Sequence, residues 1–176
     1  MLRLSTLYKS FLLILLTTGS MHTAMADDDG GGRWWKGGWG GGNSRGGMAS
    51  SAPPQYQKEC ASCHMAYPAG LLPSGSWQRL MGNLSQHYGN DASIDAASAS
   101  AISQYLVNNA GTYKRVNEMP PEDRITESYW FQRKHGKHVN NSTWARKSIG
   151  SPANCVACHQ GAEHGDFNEH SVRIPN

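Results

Sequence analysis

The sequence lacks cysteine outside two short motifs: its four cysteines stand at positions 60, 63, 155 and 158 of 176 residues. It lacks a large net charge, standing at a formal +3. Apolar runs long enough to cross a bilayer as a mature helix, about 20 residues, are absent. Convincing strands are absent too, and so is any repeat beyond one pentapeptide. Each absence excludes something. Without a marked basic excess there is no case for nucleic-acid binding, which rests on neutralising phosphates. Without strands the fold class is mostly α.

The first residues, MLRLSTLYKSFLLILLTTGSMHTAMA, carry Arg3 and Lys9, an apolar stretch from Phe11 to Leu16 and an Ala24-x-Ala26 pattern. These are the parts of a secretory signal peptide, residues 1–26, so the expected location is the periplasm. No cysteine follows the apolar stretch, which argues against a lipoprotein anchor. Cleavage after Ala26 leaves fourteen basic and thirteen acidic residues, near +1.

What is present is Cys60-Ala61-Ser62-Cys63-His64, and again Cys155-Val156-Ala157-Cys158-His159. Four cysteines in an exported protein would ordinarily mean two disulfides. Disulfide cysteines have no reason to fall as two Cys-x-x-Cys pairs, each followed at once by histidine. A zinc ribbon would separate its pairs by roughly 15 to 20 residues, and the interval from Cys63 to Cys155 is several-fold longer. A thioredoxin-like site would need one motif beside a βαβ pattern. Cys-x-x-Cys-His is the attachment motif of c-type haem. Two sulfurs about one helical turn apart meet the two vinyl groups of one porphyrin, and the next residue delivers an imidazole to the iron. Cys60 and Cys63 therefore hold the first haem over His64, and Cys155 and Cys158 the second over His159.

Residues 27–54 are so rich in glycine that they can order no packed core, and are read as a flexible leader carrying Trp34, Trp35 and Trp39. A first haem domain is expected over residues 55–112 and a second over 113–176. A helix over 55–63 would present the first motif. A second, capped by Ser74 or Ser76, would run through Trp77, Leu80, Met81, Leu84 and Tyr88 to Gly89. A third, from about Ile94 to Val107, would turn Ile94, Ala97, Ala101, Ile102, Tyr105 and Leu106 inward. The proline pair at 120–121 marks a loop, after which Thr126 would cap a helix holding His135 and His138. Short helices around Trp144 and Asn154 would lead into the second motif. A folded part this small needs its cofactors: each porphyrin, burying several hundred Å², contributes on the order of 10 kcal/mol.

Three segments, ECASCHMAYPAGLLPSGSWQRLMGNLSQHYG, RITESYWFQRKH and NCVACHQGAEHGDFNEHSVRIP, together resemble the bacterial dihaem cytochrome c family that partners a high-spin, oxygen-binding c-type cytochrome. The resemblance runs from Tyr56 to Pro175. It implies a mostly α-helical protein whose first haem domain is similar to a class I cytochrome c. It also implies bis-histidine haems, with electrons arriving from a membrane b-type cytochrome and leaving to the high-spin partner.

The sixth position on each iron decides reactivity, since an open site binds ligands and a Met/His site raises the potential. His87 lies beside an apolar face, and the match of QHYG to the family selects it for the first iron; Met119, in a Met-Pro-Pro sequence like that of class I cytochromes, is the rival. The match of WFQRKH selects His135 for the second iron, with His138 as the alternative. His164, five residues from His159, is expected in solvent or near a propionate, and His170, in a polar tail, is a weaker runner-up for the second iron. Lys114, Arg115, Arg133, Lys134, Lys137, Arg146 and Lys147 form basic clusters that serve either as solvated faces or as partners for propionates or an acidic protein surface. Electron transfer by a non-enzyme is the leading expectation. A dihaem enzyme, peroxidase-like or gas-sensing with one open iron, and a wiring subunit of a membrane complex are the alternatives.

Overall fold

A computed structural model describes residues 52–114 and 116–176. The expected signal peptide, nearly all of the Gly/Trp-rich leader, and Arg115 lie outside the described residues. Helix α1 spans Pro54–Cys60, with proline in the first turn, where its fixed φ fits and its missing N–H costs nothing. It stops three residues short of the expected end. The Ser62 hydroxyl donates to the Glu59 carbonyl at 3.1 Å, taking the acceptor that the Cys63 N–H would need to extend the helix.

Helix α2, Ser74–Gly82, starts after Pro73 with no side-chain cap, so neither expected serine caps it. It also ends well before Gly89. Asn83, at φ −138°, leaves helical geometry, and the chain continues as a 3-10 turn, Leu84–Gln86. His87 and Tyr88 are therefore off the helix, and Tyr88 is exposed rather than part of an apolar face. Trp77 is buried, with its indole N–H donating to the Ala69 carbonyl at 2.7 Å.

Helix α3, Ala96–Asn108, is capped by Asp95, whose carboxylate accepts the Ser98 N–H at 2.9 Å. Its inward stripe is Ser98, Ile102 and Leu106, at i, i+4 and i+8. Of the residues expected inward, Ile102 and Leu106 are buried, Ile94 and Tyr105 only half-buried, and Ala97 and Ala101 exposed. α2 and α3 pack together, and Tyr56, Leu72, Trp77, Ile102 and Leu106 form the first core cluster. Gly111 ties the end of α3 to the loop after the first motif. Its N–H donates to Leu72 at 2.8 Å, and a Cβ there would lie 2.5 Å from the Gly70 oxygen. Only glycine allows that approach.

Helix α4, Tyr129–His135, is capped by Ser128, not Thr126; the serine oxygen accepts the Phe131 N–H at 3.3 Å. Helix α5, Asn141–Trp144, is one turn capped by Asn140, and the second motif rides a 3-10 turn, Cys155–Ala157. Trp130, Phe131, Ala162 and Phe167 form a second core cluster, to which the earlier segment contributes Met65 and Leu71. The described residues contain no strand, only an isolated bridge between His87 and Asn90. No helix among them is long and apolar enough to cross a membrane.

Candidate functional site

Cys60 closes α1 half-buried, and Cys63 lies exposed on the turn beyond it. The Nδ1 of His64 donates to the Met65 carbonyl at 2.7 Å, which leaves the Nε2 lone pair free. Opposite stands His87, its ring centroid 6.1 Å from that of His64 and the planes 29° apart. His87 is held there by a tight turn. The Asn90 N–H returns to the His87 carbonyl at 3.1 Å, and the two central residues, Tyr88 and Gly89, have φ of 52° and 92°, the signature of a type I′ turn.

The second motif repeats the arrangement. His135, at the end of α4, and His159 have ring centroids 6.2 Å apart with planes at 77°. The His135 Nδ1 donates to the Phe131 carbonyl at 3.0 Å, and the Phe131 ring stacks on the imidazole at 4.0 Å. A cavity of about 350 Å³ separates the elements, lined by Leu71, Phe131, Trp144, Cys155 and Phe167 together with both histidines. Trp130 lines it as well, and its buried indole N–H has no acceptor.

These features fit a porphyrin iron. A metal bound by two opposed imidazoles, at about 2.0–2.1 Å per bond, needs ring centroids roughly 6 Å apart. Burial lowers the pKa of His87, and the neighbouring His64 and Arg124 lower it further. Burial also lowers His135 and His159, so all three favour the neutral, metal-binding form. Burial pushes the thiols of Cys60 and Cys155 up to about 11, which suits neither a reactive redox pair nor a zinc thiolate. All four cysteines are free. The described residues contain no cluster of three or more His, Cys, Asp or Glu arranged around a metal. Two facing imidazoles beside a pair of thiols are residues that could hold a covalently attached macrocycle and its metal.

The rivals lie elsewhere. Met119 is 53% exposed, and its Sδ receives Arg79 Nη1 at 2.9 Å. His138 falls beyond the end of α4, exposed at the rim of the cavity. His164 and His170 are exposed. Sequence reasoning missed Tyr67, whose ring stacks on His64 at 4.8 Å and whose hydroxyl donates to the Ala153 carbonyl at 2.8 Å. Only its position three residues after His64 hinted at a role, because no periodicity governs a loop.

The sequence pattern of the dihaem cytochrome c family matches residues 56–167. A dihaem cytochrome c purified from Rhodobacter sphaeroides is 45% identical over 65% of this chain and 96% of its own, with a TM-score of 0.58. A second structure from that organism is 43% identical over 66% and 98%, with a TM-score of 0.60. The dihaem cytochrome c of Shewanella baltica is 38% identical over 70% and 93%, with a TM-score of 0.62. No curated protein sequence matches significantly. Two cysteine pairs, two opposed histidine pairs and a helical frame shared along nearly the whole length of these relatives have one common explanation: the chain belongs to the dihaem cytochrome c family, electron-transfer proteins that carry two c-type haems.

Proposed function

We propose that this protein is a periplasmic electron carrier whose two irons are each held between two histidines, His64 with His87 and His159 with His135. The observation that carries the reading is the pair of ring separations, 6.1 and 6.2 Å, each the span of one metal between two imidazoles. Each haem, when bound, supplies a one-electron iron couple. The protein's part is to hold and orient the ligands. The carbonyls of Met65 and Phe131 fix the tautomers of His64 and His135 and strengthen both as donors. Phe131, Trp144 and Phe167 exclude water around the second pair. With two histidines holding each iron, small ligands would have no open iron site to enter. Electrons would come from a membrane b-type cytochrome and pass to a high-spin c-type cytochrome, a partnership that rests on the family resemblance.

The test is electron paramagnetic resonance and optical spectroscopy of the oxidised protein near neutral pH. Two low-spin irons without a sulfur-ligand band are expected. One high-spin iron per protein, or stoichiometric carbon monoxide binding by the wild type after reduction, would overturn the reading in favour of an open-site enzyme or gas sensor.

Acid should matter more than base. Burial holds His87, His135 and His159 below the ordinary histidine value, so protonation favours the unfolded chain. The stability that follows is fully present above about pH 6.5 and is lost as pH falls through the depressed values. Low-spin absorption should thus hold steady from about pH 8 to about pH 7 and collapse only on acidification. A collapse on going from neutral to mildly alkaline pH would contradict the assignment.

A further inference from the structure

Among the described residues three non-glycine residues have positive φ: Tyr88 at 52°, Glu122 at 52° and Asp123 at 58°. All three meet beside His87. The Tyr88 hydroxyl donates to the Glu122 carbonyl at 3.0 Å. The Arg124 guanidinium carbon lies 4.0 Å from the centroid of the Tyr88 ring, a cation–π contact, and Arg124 Nε pairs with the Glu122 carboxylate at 3.0 Å. Asp123 in turn takes Arg79 of α2, with Nε to Oδ2 at 2.8 Å. Unfavourable backbone conformations persist only where the surroundings over-determine them. Here two strained segments brace one another.

The four imidazoles are not equally secured. His64 and His159 each follow a haem-attaching cysteine directly, and His135 is anchored through Nδ1 to Phe131. His87 has neither support, since its buried Nδ1 meets no protein acceptor. Its ring instead lies 4.9 Å from that of Tyr88. Next to it opens a cleft of about 640 Å³ bordered by Arg79, Asn83, Gln86 and Arg124, which gives the turn room to swing outward.

We infer that Tyr88 and Arg124 are positioning residues for His87, a clamp that keeps this imidazole turned toward His64 and so closes the first iron. The inference rests on the reading of His87 as that iron's ligand. Without the clamp the turn samples the cleft, and the first iron becomes accessible for part of the time.

The experiment measures carbon monoxide binding to the reduced holoprotein, with the spin state of the oxidised form alongside. Arg124→Ala and Tyr88→Ala should each raise the rate of carbon monoxide uptake by about tenfold or more, because uptake tracks the open population. The stoichiometry should approach one per protein, with the other iron silent. Arg124→Lys keeps a cation over the ring and should stay within about threefold of wild type; the contrast between Arg124→Ala and Arg124→Lys carries the test if Tyr88→Ala does not fold. His87→Ala is the reference and should bind one carbon monoxide. If it does so while Arg124→Ala and Tyr88→Ala behave as wild type, the clamp is wrong and the ligand assignment stands. If His87→Ala remains low spin and unreactive, the ligand assignment fails and the clamp falls with it. Uptake at both irons in Arg124→Ala would mean general loosening and would also overturn the proposal.

Discussion

Replacing Cys155 and Cys158 together by alanine is expected to leave residues 136–176 without a stable fold. That segment holds one single-turn helix, Asn141–Trp144, and three short 3-10 turns. Helices this short do not persist without tertiary packing. Its buried apolar residues, Ile149, Ala162 and Phe167 chief among them, are too few to offset the ordering of about forty residues at roughly 1–2 kcal/mol each. The missing contribution comes from the apolar cavity, where burying a porphyrin supplies on the order of 10 kcal/mol, comparable to the whole stability of a small domain. Limited proteolysis with mass spectrometry should show cleavage after Gly136 in the variant but not in the wild type, and far-UV circular dichroism should lose part of its helical signal. A variant carrying one haem yet resisting protease throughout this segment would show that the polypeptide packs unaided.

His135→Ala is expected to convert one iron from low to high spin and to allow one carbon monoxide per reduced protein, a stoichiometry the wild type does not approach. The imidazole stacks on Phe131 and is tethered to its carbonyl, which leaves His138, exposed at the cavity rim, as the nearest other imidazole. His138 lies beyond the helix end and is not set opposite His159 as His135 is. The first iron should keep its spectrum, because the histidines proposed for it, His64 and His87, belong to other elements. A silent His135→Ala would shift attention to His138→Ala as the next variant. An effect on both irons would mean that the replacement had disturbed the fold rather than a ligand.

How much of this was legible depended on how far apart the interacting groups stand in the chain. Each attachment motif is spelled in five consecutive residues, because one porphyrin edge fixes their spacing. The helices around Trp77, Ile102 and Phe131 showed in apolar periodicity, yet their limits did not. Ser62 ends α1 by taking a carbonyl, Asn83 ends α2 by leaving helical φ, and Ser128 caps α4 where Thr126 was expected. These are contests between side chain and backbone that composition does not decide. On α3 the buried Ile102 and Leu106 were legible, but Ala97 and Ala101 were misplaced because alanines fit either side, and packing against α2 chose Ser98. His87 was singled out by family resemblance and by a helix that does not reach it. What sets it opposite His64 is a two-residue turn, braced by residues more than thirty positions later.

Tyr67 gives the chain a timetable. Its ring lies on His64, while its hydroxyl is satisfied only by Ala153, 86 residues downstream. Met65 and Leu71, on either side of it, are buried with Ala162 and Phe167. As the polypeptide emerges from its N-terminus, the first cysteine pair is available long before the surface that covers the residues after it. Closing so long a span is slow compared with forming local helices. The residues that follow the first attachment motif therefore spend an interval uncovered, while the thiols beside them are open to whatever machinery joins them to porphyrin, and are covered only when the far end of the chain arrives.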